Sequence, residues 1–268
     1  MRVGFSPVTA QILDLAQAFG LARETGLDLV ELSYDAHEAV PHIQAVETVK
    51  ALTAETGLAL SVHLSYLDLN LAALSPSARR SGIERTIEGM RYAEEVGAEV
   101  GVLHTGKVPY ENAMIRGAAM DNLATSLEAI RKETSGMRCR LALENLAFPG
   151  DLLKTVDDLD QTCQAFDLGV TLDFGHAMIQ GGLEAIRAYL DRFNGRIWHL
   201  HIHSNHGSND DHLPIDEGVI DYYRYAEFLK KYDGPACMEI AGGGADGVRR
   251  SARKIREILG RPPIRGEG

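Results

Sequence analysis

Eight short apolar runs, spread over nearly the whole chain and separated by helix-patterned segments, constrain the fold of this sequence more than any other feature. The runs lie at 2–5, 29–33, 59–63, 100–104, 140–144, 169–173, 196–203 and 236–240. Between them apolar residues recur at helical spacing, as with Ile83, Ile87, Met90 and Ala93. Strands that alternate with helices build parallel sheets, because a parallel crossover needs a connection about as long as a helix. Eight such units in 268 residues, with no break in composition, predict an α/β fold made of a single (β/α)8 TIM barrel over 1–260, followed by a flexible C-terminal tail at 261–268. A doubly wound open sheet is the competing architecture. Gly26, Gly57, Gly97, Gly169, Gly195 and Gly234 are expected to turn the chain from helix to strand. Ser75 and Pro76 are expected to open the helix that carries Ile83, with serine as its N-cap.

A barrel gathers the C-terminal ends of its strands around one site. The polar residues at those predicted ends are Glu31, His63, His104, Glu144, Asp173, His201 and Glu239. Any one of them has an ordinary explanation as a satisfied strand-end residue. Their occurrence at seven of the eight ends points instead to a cluster of carboxylates and imidazoles, the ligand chemistry of zinc, manganese or magnesium. His176 follows Asp173 in an Asp-x-x-His turn, where Gly175 is expected to let both side chains face one cleft. Asp210 and His212, in the loop after the seventh strand, are expected to reach the same place.

The seventh strand supports the same reading. His199, His201 and His203 alternate with Trp198, Leu200 and Ile202, giving one apolar face and one imidazole face. A core gains nothing from three imidazoles in a row, since each buried ring nitrogen needs a partner. Trp198 belongs to the apolar side and reads as core.

The net charge of −11 disfavours a surface for non-specific binding of polyanions. Cys139, Cys163 and Cys237 are scattered and odd in number, and read as buried small hydrophobes of a reducing compartment. No run of 18 or more apolar residues is present, so no membrane span is expected, and the chain reads as soluble and cytoplasmic. The oligomeric state is left open.

In combination, 62–67 (Val-His-Leu-Ser-Tyr-Leu), His104-Thr105-Gly106, Glu144-Asn145, Asp173-Phe174-Gly175-His176, His201-Ile202-His203 and Asp210-Asp211-His212 resemble the xylose-isomerase-like TIM barrels. That group includes sugar-phosphate isomerases and epimerases as well as the endonuclease IV type of AP endonuclease. The resemblance runs from Val3 to Ile258. It implies Glu144, Asp173, His201 and Glu239 as ligands of a central metal, with Glu144 and Glu239 as the catalytic pair. It also implies that His63, His104, His176, Asp210 and His212 match the positions completing a three-zinc cluster in the endonuclease branch. The expected cofactor is one divalent ion (manganese, magnesium or zinc), with up to three accommodated.

Two chemistries share that scaffold, and the fold does not choose between them. In the isomerase or epimerase reading, the metal-bound carboxylates exchange protons with a sugar or sugar phosphate through an enediolate. In the phosphodiesterase reading, clustered ions generate a hydroxide that attacks an abasic site in DNA. The acidic net charge, the run Glu144-Asn145-Leu146-Ala147-Phe148-Pro149-Gly150 and the acidic stretch from Glu31 to Asp35 favour the sugar branch over nucleic acid. Tyr66-Leu67 matches a pair that the endonucleases insert into DNA, and equally suits the wall of a small-substrate pocket. A non-catalytic sugar-binding barrel is a third reading, disfavoured by the presence of both Glu144 and Glu239. Glu31, Tyr66, Lys107 and Gly243 are the expected substrate contacts, Gly243 through the backbone of Gly242-Gly243-Gly244 if a phosphate is bound.

Overall fold

The structure is a computed structural model that describes residues 1–108, 110 and 112–262. Eight parallel strands close into one barrel in chain order: β1 (Arg2–Phe5), β2 (Leu29–Ser33), β3 (Ala59–His63), β4 (Val100–Leu103), β5 (Arg140–Glu144), β6 (Gly169–Asp173), β7 (Ile197–Ile202) and β8 (Pro235–Met238). β1 pairs with β8 in register Val3 to Ala236, which closes the ring. The helices outside it are α1 (Leu15–Glu24), α2 (Tyr34–Ala39), α3 (Val46–Thr56), α4 (Pro76–Val96), α5 (Ala113–Glu133), α6 (Val156–Phe166), α7 (Phe174–Arg192), α8 (Ala226–Lys231) and α9 (Gly244–Leu259). The second unit therefore carries two helices, α2 and α3. β4, β7 and β8 stop short of the predicted runs, so His104, His203 and Glu239 stand just beyond their strands, in the loops that line the top of the barrel.

The apolar core lies between the ring and the helices. Phe19 of α1, Met90 of α4, Leu127 of α5 and Ile255 of α9 are all essentially buried against it. Each large side chain taken from water contributes about 1.5–3 kcal/mol. Cys139, Cys163 and Cys237 are buried thiols, as the sequence suggested. Trp198 is only half-buried, with the Arg140 guanidinium 5.0 Å from its ring centroid.

Two local expectations need correction. Ser75 occupies the N-cap position of α4, but its hydroxyl meets Ser77 Oγ at 3.0 Å instead of capping the helix. Gly169 opens β6 rather than turning the chain, and its need for glycine is steric: a Cβ there would lie 2.0 Å from the ring of Trp198. Gly57 and Gly97 do end α3 and α4 in the left-handed region. Arg261, expected to begin the tail, bonds Asp28 Oδ2 at 3.0 Å and the Met1 carbonyl; residues 263–268 of that tail lie outside the described residues.

Candidate metal centre

Because side chains alternate along a strand, the residues two apart on β5, β6, β7 and β8 that face the barrel axis rise in steps to the C-terminal mouth. There the nine expected donors converge. One oxygen of Glu144 lies 3.0 Å from His104 Nε2 and 3.6 Å from His63 Nε2. Its other oxygen lies 3.2 Å from His176 Nδ1 and 3.3 Å from His201 Nδ1. Glu239 Oε2 approaches that same His201 nitrogen at 3.3 Å, and Asp173 Oδ2 at 3.7 Å. Asp210 Oδ2 sits 3.2 Å from His176 Nε2 and 2.9 Å from His212 Nε2.

The ring orientations suit a cation. His63 Nδ1 meets the Leu64 carbonyl at 2.9 Å, His176 Nδ1 the Asn145 carbonyl at 2.9 Å, and His212 Nδ1 the Glu239 carbonyl at 3.0 Å. A carbonyl oxygen only accepts, so each Nδ1 carries the proton and each Nε2 is left facing carboxylate. His201 is reversed: its Nε2 meets Glu31 Oε1 at 3.1 Å, leaving Nδ1 toward the metal-side carboxylates. That buried Nδ1, and Asp210 Oδ1, have no hydrogen-bond partner. Donor atoms around an ion at 2.0–2.2 Å stand roughly 3.3–3.6 Å apart in a tetrahedron, which is the spacing seen around His201 Nδ1. Glu144, Asp173 and His201 form one group of ligand atoms within 4.8 Å of one another, and His63, His104 and Glu144 form another. The residues present thus fit a divalent ion.

With only protons to fill these gaps, the site holds its charges strongly. Burial opposes ionisation of Glu144, yet the imidazoles of His201, His104 and His176 outweigh it and hold the carboxyl well below its usual range. Burial likewise opposes charge on His63, but Glu144 and Glu239 raise it to about 9. His212 also rises to about 9 against its burial, through Asp210 and Glu239. A metal ion held by these donors would compensate the same carboxylates and would compete with these protons.

His203 was not among the expected site residues. It is buried with Nε2 3.1 Å from Asp173 Oδ2 and 3.6 Å from Asp210 Oδ1, and its ring stacks on His212 at 4.1 Å. The His199-x-His201-x-His203 alternation was the signal that could have placed it. Gly175 serves it rather than a turn: a Cβ at Gly175 would lie 2.0 Å from His203 Cε1.

A cavity of about 530 Å³ opens above these donors, lined by Glu144, Glu239, Asp210, His63, His104 and His176 together with Tyr66, Lys107, Leu146 and Phe148. Tyr66 and Lys107 thus line the cavity above the donors. Glu31 and Gly243 do not. Glu31 is completely buried beneath the centre, bonded by Ser61 Oγ at 2.7 Å and facing His199 and His201, which corrects its expected role at the substrate. Gly243 is the N-cap of α9 and is not part of the cavity wall. A larger groove of about 990 Å³ lies at the other end of the barrel, around Trp198 and Gly234, but none of the nine donors lines it.

The fold has known counterparts. A solved structure of a D-tagatose 3-epimerase-like protein superposes with a TM-score of 0.84 at 27% identity, covering 97% of each chain. An L-ribulose-5-phosphate 3-epimerase of Salmonella heidelberg is 26% identical over 88% of this chain and 86% of its own length. A probable endonuclease 4 of Persephonella marina is also 26% identical, over 85% of this chain and 86% of its own. The family model described as xylose isomerase-like TIM barrel matches residues 19–258. The chain belongs to the xylose isomerase-like TIM-barrel family.

Proposed function

We propose that this protein is a divalent-metal-dependent sugar isomerase or epimerase in which Glu144 and Glu239 move the proton. The observation that carries the reading is the convergence of these two carboxylates on His201 Nδ1, each at 3.3 Å, from strands three places apart around the ring. They approach from different sides and both line the cavity, as proton removal from one face of a substrate and return to the other require. Glu144, Asp173, His201 and Glu239 would hold the central ion. A divalent ion held there would supply Lewis-acid polarisation of a substrate carbonyl, which acidifies the neighbouring C–H. Glu144, ionised, would take that proton, and Glu239, carrying a proton from solvent, would return one at the other face; exchange of both carboxyls with solvent then restores them, so an epimerisation through an enediolate balances. His104, 3.0 Å from the Glu144 oxygen not turned to His201, steadies the carboxylate. The named activities of the epimerase relatives support this reading.

One observation favours the phosphodiesterase reading: His63, His104, His176, Asp210 and His212 complete a donor set large enough for three ions. A single assay separates the two. Metal-reconstituted protein, incubated with ketoses and aldoses in deuterated water, is expected to incorporate deuterium beside the carbonyl. Glu144→Gln and Glu239→Gln, with metal content measured in parallel, should each slow incorporation by roughly 10²–10⁴-fold. Undiminished incorporation in both variants, or nicking of abasic-site DNA with no exchange on any sugar, overturns the proposal.

A further inference from the structure

Resting on the proton-transfer reading above, we infer that the substrate is an uncharged sugar seated between two aromatic side chains, and not a sugar phosphate. The cavity wall contains the parts for the first and lacks those for the second. Tyr66 and Phe148 are both about half exposed and stand at the mouth. Tyr66 packs against His63 and His104 at ring distances of 4.9 and 5.1 Å, and Phe148 meets His176 edge-on at 6.3 Å. Because His104 and His176 contact different oxygens of Glu144, the two aromatics flank that carboxylate. Leu69 and Leu146 extend the apolar wall. Apolar and aromatic walls with a few convergent polar groups suit a small ligand that has C–H faces and hydroxyls.

A phosphate ester carries about two negative charges and is usually gripped by arginine, lysine or a helix N-terminus. In barrels of this kind the grip commonly forms after strands 7 and 8. Here the start of α9, after β8, does not line the cavity: none of Gly242, Gly243 and Gly244 belongs to its wall. Asp246 adds a negative charge in the first turn, where a phosphate would need none.

Side-chain cations are equally scarce. Among the described residues of the wall, Lys107 is the one lysine and there is no arginine. Lys107 is exposed, and its backbone bridges to Asp151, another residue of the cavity wall. Arg85, which reaches the Leu67 carbonyl next to Tyr66, is committed to Asp35 at 3.0 Å and to Glu38. The lining imidazoles already face carboxylates. An uncharged sugar needs none of these cations.

The test compares each ketopentose and ketohexose with its terminal phosphate ester, following deuterium incorporation by metal-reconstituted protein. The inference expects kcat/KM for at least one free sugar to exceed that of its ester by 10-fold or more. Phe148→Ala should raise KM for that free sugar by about 10-fold with kcat nearly unchanged, as loss of uniform apolar binding does. Preference for the ester overturns the inference while leaving the proton-transfer reading intact. Exchange on neither form overturns both. An unchanged KM in Phe148→Ala, with the variant folded by circular dichroism, removes the aromatic seat.

Discussion

Two glutamates of this barrel face imidazoles at nearly equal distances. Glu144, at the end of β5, has ring nitrogens 3.0, 3.2 and 3.3 Å away. Glu31, in the middle of β2, has His199 at 3.0 Å and His201 at 3.1 Å. Both sets also bring their ligand atoms within 4.8 Å of one another. Proximity therefore does not separate them. Access does. Glu144 lines an open cavity, and the His201 nitrogen beside it lacks a partner. Glu31 is sealed in, accepts from Ser61 and His201, and has His199 Nε2 close but out of line for a hydrogen bond. The upper tier is open to solvent through the cavity. The lower tier holds His201 so that its upper nitrogen points at Glu144 and Glu239, as the second partner of a ligating histidine would. His201 joins the two.

The largest effect should come from removing that joint. His201→Ala leaves Glu31, Glu144, Asp173 and Glu239 without the buried cation they share. Breaking a buried charged pair by deleting one partner costs about 3–5 kcal/mol. A fall in melting temperature on the order of 10 °C in metal-free protein is expected. His104→Ala, a half-exposed ring in contact with Glu144, should fall much less. Equal losses would mean that the lower tier contributes nothing to stability.

Glu31→Gln comes next and separates positioning from ligation. It keeps shape but weakens the acceptor for His201 Nε2, so metal affinity should drop about 10–100-fold, measured by competition with a chelator. Asp35→Asn is the control. Asp35 is similarly buried, but it bonds the Tyr66 and Leu67 amides and Arg85 instead of a metal-facing ring. Its metal affinity should stay within about twofold of the parent. If both variants lose affinity alike, Glu31 acts through general packing and the two tiers are not coupled through His201.

The barrel was legible because its evidence is repeated: eight apolar runs and the helical spacing between them each restate the same topology. The strand-end donors were legible for a related reason, since a parallel barrel carries every C-terminal end to one mouth. What was misread was depth, although the run at 29–33 already put Glu31 two residues before its end. Glu31 and Glu144 both follow an apolar residue in an apolar run, but Glu31 sits two residues before the end of β2 and Glu144 ends β5. That offset moves Glu31 below the floor. His203 was passed over although the alternation of His199, His201 and His203 marked it; what no local pattern contains is its seat against Gly175 of α7, where a Cβ would not fit. Gly243 looked suitable for phosphate because three glycines alone do not show which way a helix start faces.

The smallest effect, and the one that tests how the upper tier is occupied, is in pH. In metal-free protein His63 and His212 are held near 9, above their unfolded value of about 6.5. A raised folded value contributes stability that is complete below about pH 6.5 and is lost as pH rises through about 9. The carboxylates shifted downward, Glu144 and Asp173, contribute above about pH 4 and are constant across this window. Metal-free melting temperature should therefore decline between pH 6.5 and 9. Metal binding must displace the same protons, so affinity should rise over that interval. The gap between metal-loaded and metal-free melting temperatures is expected to widen with pH, read by calorimetry at pH 6.5, 7.5 and 9. Parallel curves would mean that ions and protons do not compete for these nitrogens, and that the upper tier, like the lower, is a closed structural network.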